Sequence, residues 1–212
     1  MSKVERNGER KRRDIRRNPR LGYYIIITDT KETEKNYFEG LKKSFPIDLQ
    51  QHIVIQVKKT STKDLIKTCI EEVSSDPQYR QPWIIFDRDQ VSDFDEIIET
   101  AQNNKINVGW YNPCIEIWFE AYFGKMNSYL DSVKCCEGFS KKYSRVLHQK
   151  YEKSDVDIYD KLNRYGNEKE AIKRSKERLI SHRNNGKIKP SEMCPCSTLH
   201  IIVEEITNKK NI

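Results

Sequence analysis

The sequence holds no run of about 18 apolar residues, so no segment reads as a membrane-spanning helix. It also opens without an apolar signal stretch, and the expectation is a cytoplasmic protein with no membrane partner. Apolar residues are scarce throughout, 36% of 212 residues against 33% charged. That balance implies a modest core under a heavily solvated surface, while 10% aromatics argue against wholesale disorder. Six cysteines occur without a Cys-x-x-Cys pair, and reduced thiols are the default for a chain of this length. Zinc on Cys135-Cys136 with Cys194 and Cys196 is disfavoured, because adjacent cysteines chelate one ion poorly. The four histidines are scattered without ligand spacing, and no serine or cysteine nucleophile shows a base partner. There is no internal repeat.

What is present is unevenly placed. Residues 1–20 carry nine basic side chains against three acids, a net +6 of the chain's +7. Arginine dominates this arm, with Arg12, Arg13, Arg16 and Arg17 at its centre, and guanidinium forks bind phosphate bidentately. A nucleic-acid role is expected for it.

After Pro19 the composition changes. Tyr23 to Thr28 is a β-branched and aromatic run of the kind buried on both faces of a sheet. Helical spacing follows from Thr33 to Phe45, ended by Pro46. A strand is expected over 52–57 and an amphipathic helix over 62–73, capped by Ser61 or Thr60. A third strand, 83–86, runs into Asp87-Arg88-Asp89. Asp93 is placed to cap a helix whose inner face is Phe94, Ile97, Ile98 and Ala101. A fourth strand, 106–111, precedes Pro113, expected in the first turn of a helix carrying Ile117, Trp118, Ala121 and Tyr122. Strands alternating with helices imply an α/β fold with a mainly parallel sheet flanked by helices. Three units follow: a basic arm (1–20), an α/β domain (21–126) and a helical region (127–212). Within the last, helical segments are expected at 129–136, 143–151, 158–165, 169–182 and 197–206.

Parallel strands bring the loops at their carboxyl ends to one edge. Asp29 follows the first strand and Asp87 and Asp89 the third, so these acids meet if the two strands are neighbours. Asp87 and Asp89, two apart, share one side of an extended segment. Clustered carboxylates repel and call for a cation, and hard oxygen ligands suit Mg²⁺ or Mn²⁺. Glu116, in the first turn of the helix after the fourth strand, is a fourth acid at that edge, as general base or support. Glu34 and Asn112 are supporting residues. Lys31 and Arg88 adjoin the carboxylates and are placed to meet phosphate charge.

The strings Thr33-Glu34-Lys35-Asn36-Tyr37-Phe38, Phe86-Asp87-Arg88-Asp89 and Asn112-Pro113-Cys114-Ile115-Glu116-Ile117-Trp118 occur in an order that resembles RloB-like proteins. Those are Toprim-related proteins tied to phage defence and abortive infection, and Cys194-Pro195-Cys196-Ser197-Thr198 looks like the family's closing Asn-Pro-Ser-Thr element. The resemblance implies a Toprim-like sheet and a Mg²⁺-dependent endonuclease acting on DNA or RNA, tRNA included. Asp87 and Asp89 would be metal ligands. Asp29 and Thr30 stand where the family usually has Glu and Gly. Either Asp29 still ligates from a shifted loop, the favoured reading, or Glu34 or Glu116 takes its place, or catalysis is reduced. The alternative is therefore a catalytically reduced nucleic-acid-binding or adaptor subunit. An ATPase partner protein and a second copy of the chain are the partners expected on this resemblance.

Overall fold

The computed structural model describes residues 24–209 except 29–31, 59–60, 77–78, 80 and 90. Four parallel strands form the frame: β1 (Tyr24–Thr28), β2 (Ile53–Val57), β3 (Gln81–Asp87) and β4 (Asn107–Asn112). A short fifth strand, β5 (Cys196–Ser197), pairs antiparallel with β4, and the sheet order is β2-β1-β3-β4-β5. The helices are α1 (Thr33–Lys43), α2 (Ile47–Gln50), α3 (Thr62–Ser75), α4 (Phe94–Asn103), α5 (Glu116–Phe123), α6 (Ser132–Leu147), α7 (Ile158–Tyr165), α8 (Glu168–Asn184) and α9 (Leu199–Lys209). The α/β architecture expected from the strand-helix alternation is thus observed, with a largely helical C-terminal region.

All five residues of β1 are buried, as its β-branched run implied. Period-two alternation divides the core. Tyr24, Ile26, Trp83, Ile85 and Tyr111 lie on one face, packed with residues of α1, α5, α6, α7 and α9. Ile25, Ile27, Ile84 and Phe86 lie on the other, against α3 and α4. The buried residues of α4 are Phe94, Ile97, Ile98 and Ala101, the face read from the sequence.

Several local expectations are corrected. β3 begins at Gln81, so Pro82 lies inside it, near the strand's start where a missing N–H disrupts the ladder least. Asp93 precedes α4 without capping it, because its carboxylate pairs with Lys63 at 2.6 Å. Pro113 follows a cis peptide and stands ahead of α5, whose first residue is Glu116. Tyr129 is outside any helix, since α6 starts at Ser132, where Asp131 accepts from the Lys134 N–H at 2.7 Å. α6 ends at Leu147, with His148 in the left-handed region, so residues 149–157 form a loop and not a helical extension. Ser197, expected to open the last helix, instead pairs with Cys196 as β5, and α9 starts at Leu199.

Helix α8 is joined to β5 and α9 by a buried polar knot. The Ser175 hydroxyl donates to the Ser197 carbonyl at 2.6 Å, and His200 Nδ1 lies 3.1 Å from Ser175 Oγ and 3.2 Å from that carbonyl. His200 is 4% exposed. Burial, the largest influence, lowers its pKa from 6.5 to about 4. Its neutral form is therefore the folded form, and the unfolded chain takes up a proton first as pH falls through the interval from 6.5 to about 4. Stability present above that interval is lost within it. Between pH 7 and about pH 4.5, urea unfolding of the wild type should lose about 2–3 kcal/mol more than unfolding of His200→Asn. Equal acid losses in the two proteins would remove His200 as the cause.

Candidate functional site at the carboxyl edge of the sheet

β1 and β3 are hydrogen-bonded neighbours running the same way, with Thr28 opposite Ile85 and Asp87 two residues further along β3. The condition set by the sequence, that these strands adjoin, is met. Asp29, Thr30 and Lys31, and the arm containing Arg12, Arg13, Arg16 and Arg17, lie outside the described residues.

Asp87 closes β3 opposite Tyr111 of β4. The Tyr111 hydroxyl donates to Glu34 Oε1. Glu34, in the first turn of α1, is 3% exposed. Asp87, Tyr111 and Glu34 therefore stand in sequence along one edge of the sheet. Past β3, the Asp89 N–H reaches the Pro113 carbonyl at 3.3 Å and its Oδ1 accepts from the Ser132 hydroxyl at 2.8 Å. These bonds dock the Asp-x-Asp turn between the β4–α5 turn and the start of α6.

Arg88 is turned elsewhere. Its backbone N–H donates to Tyr111 O at 2.9 Å, and its Nη1 donates to Val91 O at 2.7 Å. The guanidinium carbon lies 5.8 Å from the Phe94 ring centroid, so the side chain ties Val91 to the start of α4. Asn112 is also structural in its contacts, donating to the Pro190 and Ser191 carbonyls at 3.4 and 3.1 Å.

Glu116 is 1% exposed. Its Oε1 accepts from the Tyr151 hydroxyl at 3.1 Å and lies 3.7 Å from Lys153 Nζ. Burial and then the Glu116 charge push the Tyr151 pKa well up, so the phenol keeps its proton for this bond. Desolvation lowers the Lys153 pKa, but Glu116 and Cys136 outweigh it and hold the ammonium above the usual lysine value.

Tyr151 and Lys153 belong to the loop after α6. Asp155 staples that loop, accepting from Tyr143 at 3.1 Å and from Lys161 at 2.8 Å. The first turn of α1 docks it, through Thr33 Oγ1 to Lys153 O at 2.9 Å and Asn36 Nδ2 to Ser154 O at 3.1 Å. The Thr-Glu-x-Asn-Tyr-Phe string thus has a physical reading: Thr33 and Asn36 hold the loop and Glu34 meets Tyr111. Tyr37 bonds Tyr122 at 2.8 Å, and Phe38 packs in the core.

Tyr111, Ser132, Tyr151 and Lys153 were missed by sequence reasoning. Tyr111 resembles any core residue of a strand. The other three are joined to the acids only by tertiary packing; the one local signal, Asp131 as a residue type suited to capping α6, was passed over by the helix expected from residue 129.

Together these features define an open α/β sheet with a cluster of acids held at the carboxyl edge of its parallel strands. The family model described as RloB-like protein matches residues 24–206, and the chain belongs to that family. No curated protein and no solved structure matches it. Among the described residues, no helix is long and apolar enough to cross a membrane.

Because Glu34 is buried, loss of the Tyr111 hydroxyl leaves a desolvated carboxylate oxygen short of a donor. Tyr111→Phe keeps the ring and should cost about 1–3 kcal/mol in urea unfolding. A change below a few tenths would mean that the bond contributes little.

Proposed function

We propose that the protein is a metal-dependent nuclease that hydrolyses phosphodiester bonds of DNA or RNA, acting as the effector of an anti-phage, abortive-infection system. The observation that carries this reading is the position of Asp87, at the carboxyl end of a parallel strand adjoining β1, with Asp89 two residues on and Glu34 across Tyr111 on the same edge.

The donor set suits a hard dication. Asp87, Asp89 and Glu34 offer carboxylate oxygens, the ligands that Mg²⁺ and Mn²⁺ prefer. Asp89 keeps one oxygen beyond the one engaged by Ser132. Asp87 is half-buried, so one side faces solvent while the other is set by the sheet. A dication held there would supply an activated water and stabilise the leaving oxygen. On this reading Asp87 is the principal ligand, Asp89 completes the pair and Asp29 reaches in from the end of β1. Glu34 and Glu116 lie beneath the edge, each oriented by a tyrosine hydroxyl.

The Arg-rich arm supplies a sequence-independent attraction to phosphates that weakens with salt. Activity is placed in the company of an ATPase partner, as the family resemblance suggests.

The test is cleavage of DNA and tRNA by the pure full chain in Mg²⁺ or Mn²⁺, with and without a candidate ATPase partner. Asp87→Ala should lower the cleavage rate about 100-fold or more, as expected when a centre of transition-state charge stabilisation is removed. Cleavage unchanged in that variant places the activity elsewhere. Nucleic-acid binding with no uptake of Mg²⁺ or Mn²⁺ at millimolar concentration makes the chain a binding or adaptor subunit instead.

A further inference from the structure

Three cysteines from two segments of the chain converge beside the acidic edge. Cys114 lies in the turn between β4 and α5, and Cys135 and Cys136 lie in the first turns of α6. The Sγ atoms of Cys114 and Cys136 and a Glu116 carboxylate oxygen all lie within 4.8 Å of one another. Donors around one tetrahedral zinc with bonds of about 2.0–2.3 Å sit roughly 3.3–3.8 Å apart, so a small closure suffices to share an ion.

A second observation points the same way. Glu116 is 1% exposed, yet its Oε2 is fully buried with no hydrogen-bond partner among the described residues. The neighbouring acid on α5, Glu120, shows what a purely structural buried carboxylate looks like. Its Oε2 accepts from the Asn127 N–H at 2.9 Å and its Oε1 from Tyr129 at 2.5 Å. Buried carboxylate oxygens without partners are costly, and a cation is one answer to that cost.

We propose that Cys114, Cys136 and Glu116 form a binding site for a thiophilic dication, Zn²⁺, next to the hard oxygen site and distinct from it. Charge supports the assignment. Two thiolates and a carboxylate carry −3, the ion +2, and the Lys153 ammonium, 3.7 Å from Glu116, brings the sum to zero. Without an ion the two thiols are held neutral. A free cysteine titrates at about 8.5, so both thiols carry protons around neutral pH. Zinc uptake therefore expels two protons and tightens as pH rises. Cys136 is half-buried, which gives the ion an entry path and leaves the fourth position to water.

The site would clamp the β4–α5 turn to α6. It is connected to Asp89 through Ser132, whose carbonyl lies 3.7 Å from the Cys114 Sγ and whose hydroxyl donates to Asp89. The inference does not depend on the nuclease reading, because its measurements are of metal and thiols.

The full chain, purified under reducing conditions without chelator, should take up one zinc per chain. With Co²⁺ in its place, thiolate-to-metal charge-transfer absorption should appear. Cys114→Ser and Cys136→Ser should each lower that absorption by about half or more and weaken zinc binding about 100-fold or more. Glu116→Gln should retain the absorption and weaken binding about 10-fold. Asp87→Ala and Cys69→Ser should bind zinc as the wild type does. Zinc should also shield Cys114 and Cys136 of the wild type from alkylation, a readout that needs no variant to fold. Absence of the charge-transfer band, zinc uptake unaffected by the double serine variant, or alkylation of both thiols at saturating zinc overturns the proposal.

Discussion

A carboxylate taken out of water must meet a proton donor or a cation, and that requirement organises the carboxyl edge of this sheet. Glu34, Glu116 and Glu120 are each at most 3% exposed. Glu34 and Glu116 draw their partners from distant segments, Tyr111 for the first and Tyr151 and Lys153 for the second, while Asn127 and Tyr129 reach Glu120 from the stretch just after α5. Each acid is consequently a knot that fixes the relative position of two or more pieces of chain. The loop after α6 has no regular structure of its own, and what places it is Asp155 at its base, α1 along its side and Glu116 beneath it. The same bonds that make the fold specific also set the charge at the edge, so fold and candidate site cannot be altered independently there.

The framework was legible because its signals are local. The Tyr-Ile-Ile-Ile-Thr run of β1, the apolar face of α4 and the punctuation by Pro46 depend on residue types within a few positions of one another. Asp87 and Asp89 were legible for the same reason, as acids directly after a buried run. The element boundaries that went wrong share a different cause. Asp93 has the form of a cap but is captured by Lys63 from α3, a partner about thirty residues away that no local pattern reveals. The helical spacing across Tyr143 and Tyr151 is genuine, yet His148 breaks the helix and Tyr151 is drawn to Glu116. β5 is only two residues long and exists because β4 offers an edge, with Thr198 Oγ1 also accepting from the Trp110 N–H at 2.9 Å. A strand that short leaves no periodic trace.

The cysteines show the same limit in sharper form. Read along the chain, Cys135-Cys136 suggested a chelate with Cys194 and Cys196, a set that adjacent residues serve badly. Folding instead sets Cys114 and Glu116 beside Cys136, although Cys114 had been read only as part of the Asn-Pro-Cys-x-Glu-x-Trp string. In that string each residue now has its own contact. Asn112 ties down residues 190–191 and Pro113 receives the Asp89 N–H. Cys114 meets Ser132, Glu116 meets Tyr151, and Trp118 fills the core. Spacing along a sequence can show which donors are available, but tertiary packing decides which of them share an ion.

On the two proposals made above, hard and soft donors at one edge would divide the labour between two ions. Oxygen donors at Asp87 and Asp89 sit at the open end of a parallel strand, where a weakly held dication could exchange and a polyanion approach. Of the sulfur donors Cys114 is buried and Cys136 half-buried, with Lys153 close to Glu116 beside them, where a tightly held ion would act as a brace. Two residues link them: the Asp89 N–H reaches Pro113, next to Cys114, and Ser132 touches Cys114 by its carbonyl and Asp89 by its hydroxyl. Because that serine also begins α6, a shift of the helix start would move the Asp89 carboxylate directly. An ion bound at Cys136, as proposed, would therefore fix the start of α6 and with it the position of Asp89 without contributing a ligand there. The order of dependence runs from buried charge to loop, from loop to helix start, and from helix start to the Asp-x-Asp turn.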